Sequence, residues 1–238
     1  CLGSAGSWLG RRGGWLGSGR AVVGASLLGR GARDSVGPML QGGHMTLDET
    51  CLTWLMAEGV DAREDDLAQT YGFKHRLNER RVLTRCRLEP PEPPERLSWH
   101  VEFYAAGEAV LEVPLARWFA PEGEDHTGAV ARIVLNATFY LLPKYQRSGF
   151  ARALYEAEEA LYRRWGVREV HIEALRSGPL VWIKKFGYQP RDPEPLLIGY
   201  PSWARSRAGM PTDITRVEDL PDAYLNQLDH VSLYKVIR

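Results

Sequence analysis

The clearest pattern of apolar and polar positions lies in the middle of the chain, between residues 131 and 165. Residues 131–142 form an apolar run rich in β-branched and aromatic side chains, and Pro143 ends it. Such a run predicts a buried strand. From Phe150 to Trp165 apolar residues recur every three or four positions, and charged residues occupy the other faces. This spacing predicts an amphipathic helix of about four turns.

The turn between this strand and this helix has the properties of an anion-binding site. The first helical turn carries small residues and no acidic residue, so its N–H groups and the positive end of the helix dipole can face a ligand. Gly149 permits close backbone approach, and Arg147 can add a charge-assisted hydrogen bond. The pattern therefore predicts a phosphate or pyrophosphate site before the helix.

Weaker patterns predict the other helices and strands. Helices are expected over 47–58 and 63–71, with Asp48 and Asp61 as N-caps. The proline-rich residues 89–95 predict a stiff extended connector. The remaining predicted strands cover 81–88, 98–104, 109–118, 168–174, 196–199 and 231–236. This order predicts an α/β (α+β) fold with a mixed sheet flanked by helices.

The predicted strand over residues 168–174 has one polar face. Its apolar face is formed by Val170, Ile172 and Ala174, and its polar face by Glu169, His171 and Glu173. A polar face on an otherwise buried central strand favours a functional site. The alternative for His171 is a hydrogen-bonded histidine that belongs to the sheet alone.

The central segment resembles the acyl-CoA-binding core of the GNAT superfamily of acyl-CoA N-acyltransferases. That family's loop reads Gln or Arg, two residues, Gly, one residue, then Gly or Ala, and Gln146, Gly149 and Ala151 fill these positions. Its closing signature is matched by Trp182, Lys185, Phe186, Gly187 and Tyr188. The resemblance extends over roughly residues 46–238, and residues 135–188 carry the specific motifs. The alternative is a different βαβ unit with a glycine turn.

The resemblance implies a mostly antiparallel sheet and an acyl-CoA co-substrate, acetyl-CoA or a related thioester. It implies that main-chain groups at the end of the first strand hold the thioester oxygen, namely those of Phe139, Tyr140 and Leu141. The other implied CoA-binding residues are Gln146, Arg147, Ser148, Gly149, Phe150, Ala151 and Arg176. The implied acceptor is an amine, either a small molecule or a peptide.

The catalytic residues that the resemblance implies include one departure from the family. His171 occupies the position where some members place a general-base glutamate, and its unperturbed pKa of about 6.5 suits that role. The tyrosine that often serves as general acid falls on Ile183, which cannot donate a proton. Three alternatives follow: the thiolate leaves unassisted, another donor such as Thr138 or Tyr188 acts, or the protein does not perform ordinary N-acyl transfer.

Three functions remain open on the sequence. The first is transfer of an acetyl or related acyl group from acyl-CoA to an amine. The second is a GNAT-like decarboxylase or S-acyltransferase that acts on a carrier-bound acyl group, with Thr138 and His171 as its catalytic pair. The third is a non-catalytic acyl-CoA-binding sensor, which Ile183 suggests.

The first 44 residues differ in composition from the rest. They hold 13 of the 24 glycines, five arginines and one acidic residue. Such a segment lacks the periodicity that builds a core. We expect residues 1–44 to be a flexible Gly/Arg-rich leader or a non-native extension, and residues 45–238 to form a single domain.

Charge and cysteine content narrow the partners and the compartment. Of the 30 basic and 30 acidic residues, residues 45–238 hold 25 and 29, so this part is mildly acidic and nucleic acid is an unlikely partner. No apolar run approaches 18 residues, so no membrane partner is expected. The three cysteines form no Cys-x-x-Cys pair, and the histidines lack metal-ligand spacing. A reducing, cytoplasmic location without a bound metal is therefore expected.

Overall fold

A computed structural model describes residues 46–72, 76–77, 80–92, 96–175 and 178–238, and all structural statements below concern these residues. The helices are α1 (Glu49–Ala57), α2 (Asp66–Tyr71), α3 (Phe150–Arg164), α4 (Gly178–Phe186), α5 (Glu194–Arg205) and α6 (Asp222–Leu225). The strands are β1 (Arg76–Leu77), β2 (Arg80–Glu92), β3 (Arg96–Ala105), β4 (Glu108–Ala109), β5 (Leu115–Glu124), β6 (Val130–Thr138), β7 (Glu169–Leu175), β8 (Gln189–Pro190) and β9 (His230–Val236). The prediction for residues 1–44 lies outside the described residues and stays a prediction.

The described strands form one mixed sheet in the order β1-β2-β3-β5-β6-β7-β9-β8, with β4 paired to β3. Strands β6 and β7 pair in parallel, and the other neighbouring pairs are antiparallel. The parallel pair is joined by the crossover helix α3, as parallel neighbours require. The predicted fold class, a mixed and mostly antiparallel sheet flanked by helices, is confirmed.

The helix α3 packs on one face of the sheet, which we call the helix face. The ring of Trp165, at the C-cap of α3, lies edge-on to Trp99 of β3 and Phe119 of β5, with centroids 5.9 and 5.5 Å apart. Large aromatic side chains bury much apolar area and so fix the helix against the sheet. Residues that alternate with these along the strands point to the opposite face, which we call the reverse face.

The parallel pair β6–β7 separates before either strand ends. Its pairing runs from Ile133 and Glu169 to Asn136 and Ile172. On the other side of β6, Asn136 pairs with Arg117 and Thr138 with Ala116, so Ala137 is an extra, bulged residue. Beyond Asn136 and Ile172 the two strands no longer pair, and we call this gap the opening.

Several predicted boundaries were wrong. Strand β6 ends at Thr138 instead of Leu142, because the chain beyond the bulge pairs with a different segment through an isolated Leu111–Leu141 bridge. Strand β5 starts at Leu115 instead of residue 109, directly after Pro114, which has no N–H to donate. The segment predicted as a strand over 196–199 lies in α5.

Smaller differences concern caps and prolines. Asp48 caps α1 as predicted, because its carboxylate accepts from the N–H of Cys51 at 2.8 Å. Asp61 does not cap α2, which begins at Asp66. Strand β2 runs to Glu92 through part of the predicted proline connector, where its register against β3 is irregular. Prolines are tolerated at such irregular positions of a strand.

Candidate functional site

The loop that precedes α3 holds a left-handed backbone at two positions. Gly149 has φ +82° and is the N-cap of α3, and Arg147 has φ +61°. A left-handed conformation costs a residue other than glycine about 1–2 kcal/mol, so Arg147 is strained. Strain of this kind is found preferentially at ligand-binding and catalytic positions. We call residues 146–149 the cradle loop.

The N-terminus of α3 faces this loop with its N–H groups. The first helical turn carries no acidic residue, and Gly149 contributes no side-chain cap. The N–H of Phe150 donates to Ser148 Oγ at 3.3 Å, and the following N–H groups of Ala151 and Arg152 have no partner within the helix. A Cβ at Gly149 would meet no atom within 4 Å. Space and donors for an anion are therefore present where the sequence predicted them.

Two predicted CoA-binding residues also hold the loop in place. Gln146 is exposed, and its Nε2 donates to the carbonyl oxygen of Leu141 at 3.2 Å. Ser148 Oγ donates to the carbonyl oxygen of Tyr145 at 2.6 Å. The side chain of Phe150 is fully buried, with its ring 5.1 Å from that of Phe103. Phe150 can therefore contribute to an anion site only through its backbone.

In the segment predicted to hold the thioester oxygen, residues 139–141, the main-chain N–H and C=O groups point alternately to either side. The carbonyl of Tyr140 accepts from the N–H of Glu112 at 2.8 Å, and the N–H of Leu142 donates to Val110 at 3.1 Å. These main-chain groups therefore point away from β7. Because polar groups alternate along an extended chain, the N–H of Leu141 points the other way, toward the opening. Of the predicted set, Phe139 and Leu141 have the suitable alternation, and Tyr140 does not.

A buried ion pair supports the bulge from the helix face. Arg117 and Glu158 are both fully buried and form a bidentate pair at 2.9 and 3.1 Å. Arg117 Nη1 also donates to the carbonyl oxygens of Ala116 and Thr138, each at 3.0 Å. Sequence reasoning missed this pair. The available signal was an acidic residue, Glu158, on the same side of α3 as Leu154 and Leu161.

The hydrogen bonds of Glu158 extend to α2 and β3. The hydroxyl of Tyr71 donates to Glu158 Oε1 at 2.9 Å and accepts from the indole N–H of Trp99 at 2.7 Å. Burial raises the pKa of Tyr71, and the nearby Glu158 carboxylate adds to the effect. The phenol therefore stays neutral, and the network fixes α3 against the sheet beside the opening.

His171 lies on the reverse face, as predicted, within a buried cluster. Its Nε2 is 2.9 Å from Glu169 Oε2, and its Nδ1 is 3.4 Å from Arg191 Nη1. The backbone N–H of His126 also donates to Glu169, at 2.8 Å. We call His126, Glu169, His171 and Arg191 the closed-end cluster, because Glu169 lies where β6 and β7 are still paired.

The electrostatics of this cluster favour neutral His171 and ionised Glu169. Burial lowers the pKa of His171, and the hydrogen bond to Glu169 opposes that change only in part. Burial alone would raise the pKa of Glu169, but hydrogen bonds from His171 and His126 lower it below its ordinary value. With Nε2 donating to Glu169, Nδ1 of His171 is the acceptor and faces the Arg191 guanidinium.

Thr138 and His171, the pair that the decarboxylase alternative requires, are not brought together. His171 pairs with Leu135, three residues before Thr138 on β6, which corresponds to about 10 Å along the strand. The Thr138 hydroxyl donates to the carbonyl oxygen of Pro114 at 2.7 Å. Its proton is therefore already engaged.

Neither Ile183 nor Tyr188 places an accessible acid beside the opening. Ile183, where the resemblance would place the general acid, is buried in α4 and cannot donate a proton. Tyr188 is also buried, and burial raises its pKa well above the ordinary value. The ring of Trp182 packs on Phe139 and Tyr155, so aromatic side chains line this side of the opening. A proton donor for the thiolate is not evident among the described residues of this wall.

The remaining predictions concern Arg176, metal ions and membranes. Arg176, a predicted CoA-binding residue, lies outside the described residues. Within the described ranges, His, Cys, Asp and Glu side chains form no group of three arranged to hold a metal ion. In the same ranges, none of the helices has both the length and the apolar content that crossing a membrane would need.

Comparisons with known proteins give structural similarities only. No family model matches the chain, and none of the curated proteins matches it. Among solved structures, the chain is similar to the GNAT domain of PAT from S. lividans, at 19% identity and TM-score 0.30, with 59% of this chain and 60% of that chain covered. It is also similar to Ard1 from Thermoplasma volcanium, at 12% identity and TM-score 0.33, with 65% and 98% covered.

A Bacillus subtilis acetyltransferase solved in complex with CoA is similar at 14% identity and TM-score 0.32, with 66% of this chain and 100% of that chain covered. The chain thus spans 60% of the first of these three structures and nearly all of the other two. At such TM-scores and identities the similarity does not carry an activity to this chain. A function must therefore rest on the geometry of its own site.

Proposed function

We propose that the chain is an acyltransferase of the GNAT type, which moves an acetyl or related acyl group from acyl-CoA to a small-molecule or peptide amine. The observation that supports this best is the opening between β6 and β7, located at the bulge of Ala137 and followed by the cradle loop. An extended thioester with an anionic end needs such a gap beside such a loop. Two buried parallel strands with no ligand between them would be more stable if their backbone groups were hydrogen-bonded along the full length of the strands.

The cradle loop would bind the pyrophosphate of CoA. The N–H groups of Ala151 and Arg152 and the positive end of the α3 dipole supply the attraction, and Gly149 leaves room for the phosphate oxygens. Arg147 is exposed beside them and can add a charge-assisted hydrogen bond. The strain at Arg147 is consistent with a backbone shaped for a ligand.

The pantetheine arm would then lie in the opening, along the segment that follows β6. The N–H of Leu141, and that of Phe139 in the same alternation, would hold the thioester oxygen as it gains negative charge. Such donors act strongly because they are fixed before the reaction begins. Gln146 holds the carbonyl of Leu141 and so helps to orient this segment.

The thiolate leaving group does not require a strong acid in this site. A thiol pKa of about 8.5 makes thiolate a tolerable leaving group near neutral pH. Transfer can therefore proceed although Ile183 replaces the usual donor. The general-base role of His171 stays a prediction, and its ring must first be released by Arg191 to accept a proton through Nδ1.

Mass spectrometry of the purified protein with a panel of acyl-CoAs and amines tests the proposal. We expect formation of free CoA together with an amine whose mass increases by that of the acyl group. Loss of CO₂ from malonyl-CoA without an acylated amine would support the decarboxylase alternative instead. Tight CoA binding with no turnover on any amine would contradict catalysis and leave the sensor function.

A further inference from the structure

Strands β7 and β9 carry two histidine–glutamate contacts on the reverse face, at opposite ends of their ladder. The closed-end cluster joins His126 and His171 to Glu169 where β7 begins. At the other end, His230 Nε2 lies 2.6 Å from Glu173 Oε2. We call Glu173 and His230 the open-end pair.

The open-end pair is held in position by its neighbours. Ser232 Oγ lies 2.9 and 2.7 Å from the two carboxylate oxygens of Glu173. Strand pairing aligns Glu173 with Ser232 and Leu175 with His230, which sets the imidazole beside the carboxylate. Because Nε2 donates to Glu173, the lone pair of the ring lies on Nδ1. This is the arrangement of a base oriented by a carboxylate.

The position of this pair relative to the opening differs from that of the closed-end cluster. Glu173 directly follows Ile172, the last residue of β7 that pairs with β6. Thr138 lies on the reverse face of β6 just past the corresponding point, because it pairs with Ala116 beyond the bulge. Glu173 and Thr138 therefore flank the opening from its two sides.

The open-end pair and the closed-end cluster also differ in how far their side chains are exposed to solvent. The side chains of His230 and Glu173 are 60% and 53% exposed, whereas those of His171 and Glu169 are 8% and 0% exposed. An amine arriving from solvent can reach the former without any rearrangement. It can reach the latter only if buried side chains move.

We propose that His230, oriented by Glu173, is the group that takes the proton from the acceptor amine. The proposal rests on the acyltransferase function proposed above and assigns the base to the open-end pair instead of His171. It also places the acceptor on the reverse face, at the opening, and requires an acceptor that presents an ammonium group there. Glu173 is a positioning residue in this scheme.

Transfer of the acyl group to the amine then proceeds as follows. His230 Nδ1 takes one proton from the ammonium and passes it to solvent. The freed nitrogen lone pair forms the C–N bond at the thioester carbonyl, and the C–S bond breaks with its electron pair on sulfur. The second N–H proton moves to that thiolate. The products are the amide, CoA thiol and one proton.

The experiment compares His230→Ala with His100→Ala in the full chain, using acetyl-CoA and the best amine found in the mass-spectrometry panel. His100 is the matched control, since it is also a partly exposed histidine that contacts a glutamate of a neighbouring strand, but on β3, which β5 separates from β6. We expect His230→Ala to lower turnover by about 100-fold, the loss typical of a general base, with CoA affinity unchanged. His100→Ala is expected to change turnover less than threefold.

Two further measurements identify the role. Added imidazole should restore part of the turnover of His230→Ala and none of any loss in His100→Ala. A purely structural role of His230 would not allow this rescue. Glu173→Gln should lower turnover, and Glu173→Asp should retain more of it. Turnover of His230→Ala within threefold of native, or a loss that imidazole does not rescue, overturns the proposal. An unmodified chain that binds CoA and transfers nothing contradicts the proposed function itself, before any variant is made.

Discussion

Arg117 donates to the carbonyl oxygen of Thr138 at 3.0 Å from a guanidinium that has no contact with solvent. This contact joins the buried Arg117–Glu158 pair to the bulged end of β6. The shape of the opening is therefore linked to an ion pair on the helix face. A charge in the core, instead of the loop alone, contributes to the geometry of the proposed thioester site.

Removing one member of that pair should destabilise the fold strongly. Arg117→Ala leaves Glu158 buried without its cation, and such a loss costs about 3–5 kcal/mol. The double variant Arg117→Met, Glu158→Leu should cost less, because no buried charge remains. Urea unfolding of the three proteins measures this. Arg152→Ala, which removes an exposed arginine from α3, the helix that carries Glu158, is the control, and a similar small effect for Arg117→Ala would contradict the prediction.

The cradle loop can be tested by comparing two glycines of like conformation. Gly149→Val should weaken CoA binding by about tenfold or more, which is about 1.4 kcal/mol, since the new side chain occupies the space assigned to pyrophosphate. Gly209 has φ +80° and nothing within 4 Å of a Cβ, so Gly209→Val suffers similar backbone strain away from the loop. Calorimetry with CoA gives both affinities. Equal affinities in the two folded variants would mean that CoA does not bind at the loop.

Protonation of His171 should reduce stability as the pH falls. Burial lowers its pKa from an ordinary value of 6.5, so the unfolded chain takes up the proton first. The stabilising contribution of the neutral ring is thus complete above pH 6.5 and declines as the pH drops below it. We expect urea unfolding between pH 8 and pH 5 to show this decline, and His171→Gln to show less of it.

His171 and its partner Glu169 affect the stability of the fold in different pH ranges. The lowered pKa of Glu169 affects stability only below its ordinary value of 4.5, where the contribution of the ionised carboxylate is lost. A decline that is identical in native protein and His171→Gln would show that another group titrates between pH 5 and pH 6.5.

The predicted role of His171 as base has its own test. Turnover with acetyl-CoA and the best amine is measured for His171→Ala. A loss of about 100-fold with unchanged CoA affinity would support the sequence prediction of His171 as base.

Ile183→Tyr should retain CoA binding but lose stability. Ile183 is buried on α4, so the larger side chain overpacks the core at a cost of about 1–3 kcal/mol. Val181→Tyr introduces the same residue at an exposed position of that helix and should cost little. Thermal unfolding compares the two variants, and calorimetry checks CoA affinity. A CoA affinity lost only in Ile183→Tyr would place the residue against the ligand.

A chain that begins at Met45 should fold and bind CoA like the full chain. Residues 1–44 lack the apolar periodicity that a core requires. Far-ultraviolet circular dichroism, thermal unfolding and CoA calorimetry on both chains make the comparison. Failure of the shorter chain to fold would show that the first segment contributes to the core.

The sequence by itself determined the elements whose signals are local. The period of Phe150 to Trp165 determined α3, and the alternation of residues 169–174 determined which side chains of β7 face the core. Gly149, together with a first turn of α3 that has no acidic residue, predicted a loop with room for an anion, and the left-handed backbone found at Gly149 is one that glycine adopts readily. These properties depend on neighbours within a few residues.

Only the tertiary structure decided the features that join distant residues. The bulge at Ala137 depends on the register of β6 against β5, and the pairing of Arg117 with Glu158 links positions 41 residues apart. The same holds for His230 and Glu173, whose neighbouring positions follow from the antiparallel pairing of β9 with β7. Hydrophobic periodicity reports which face a residue takes and carries no information on its partner across the sheet.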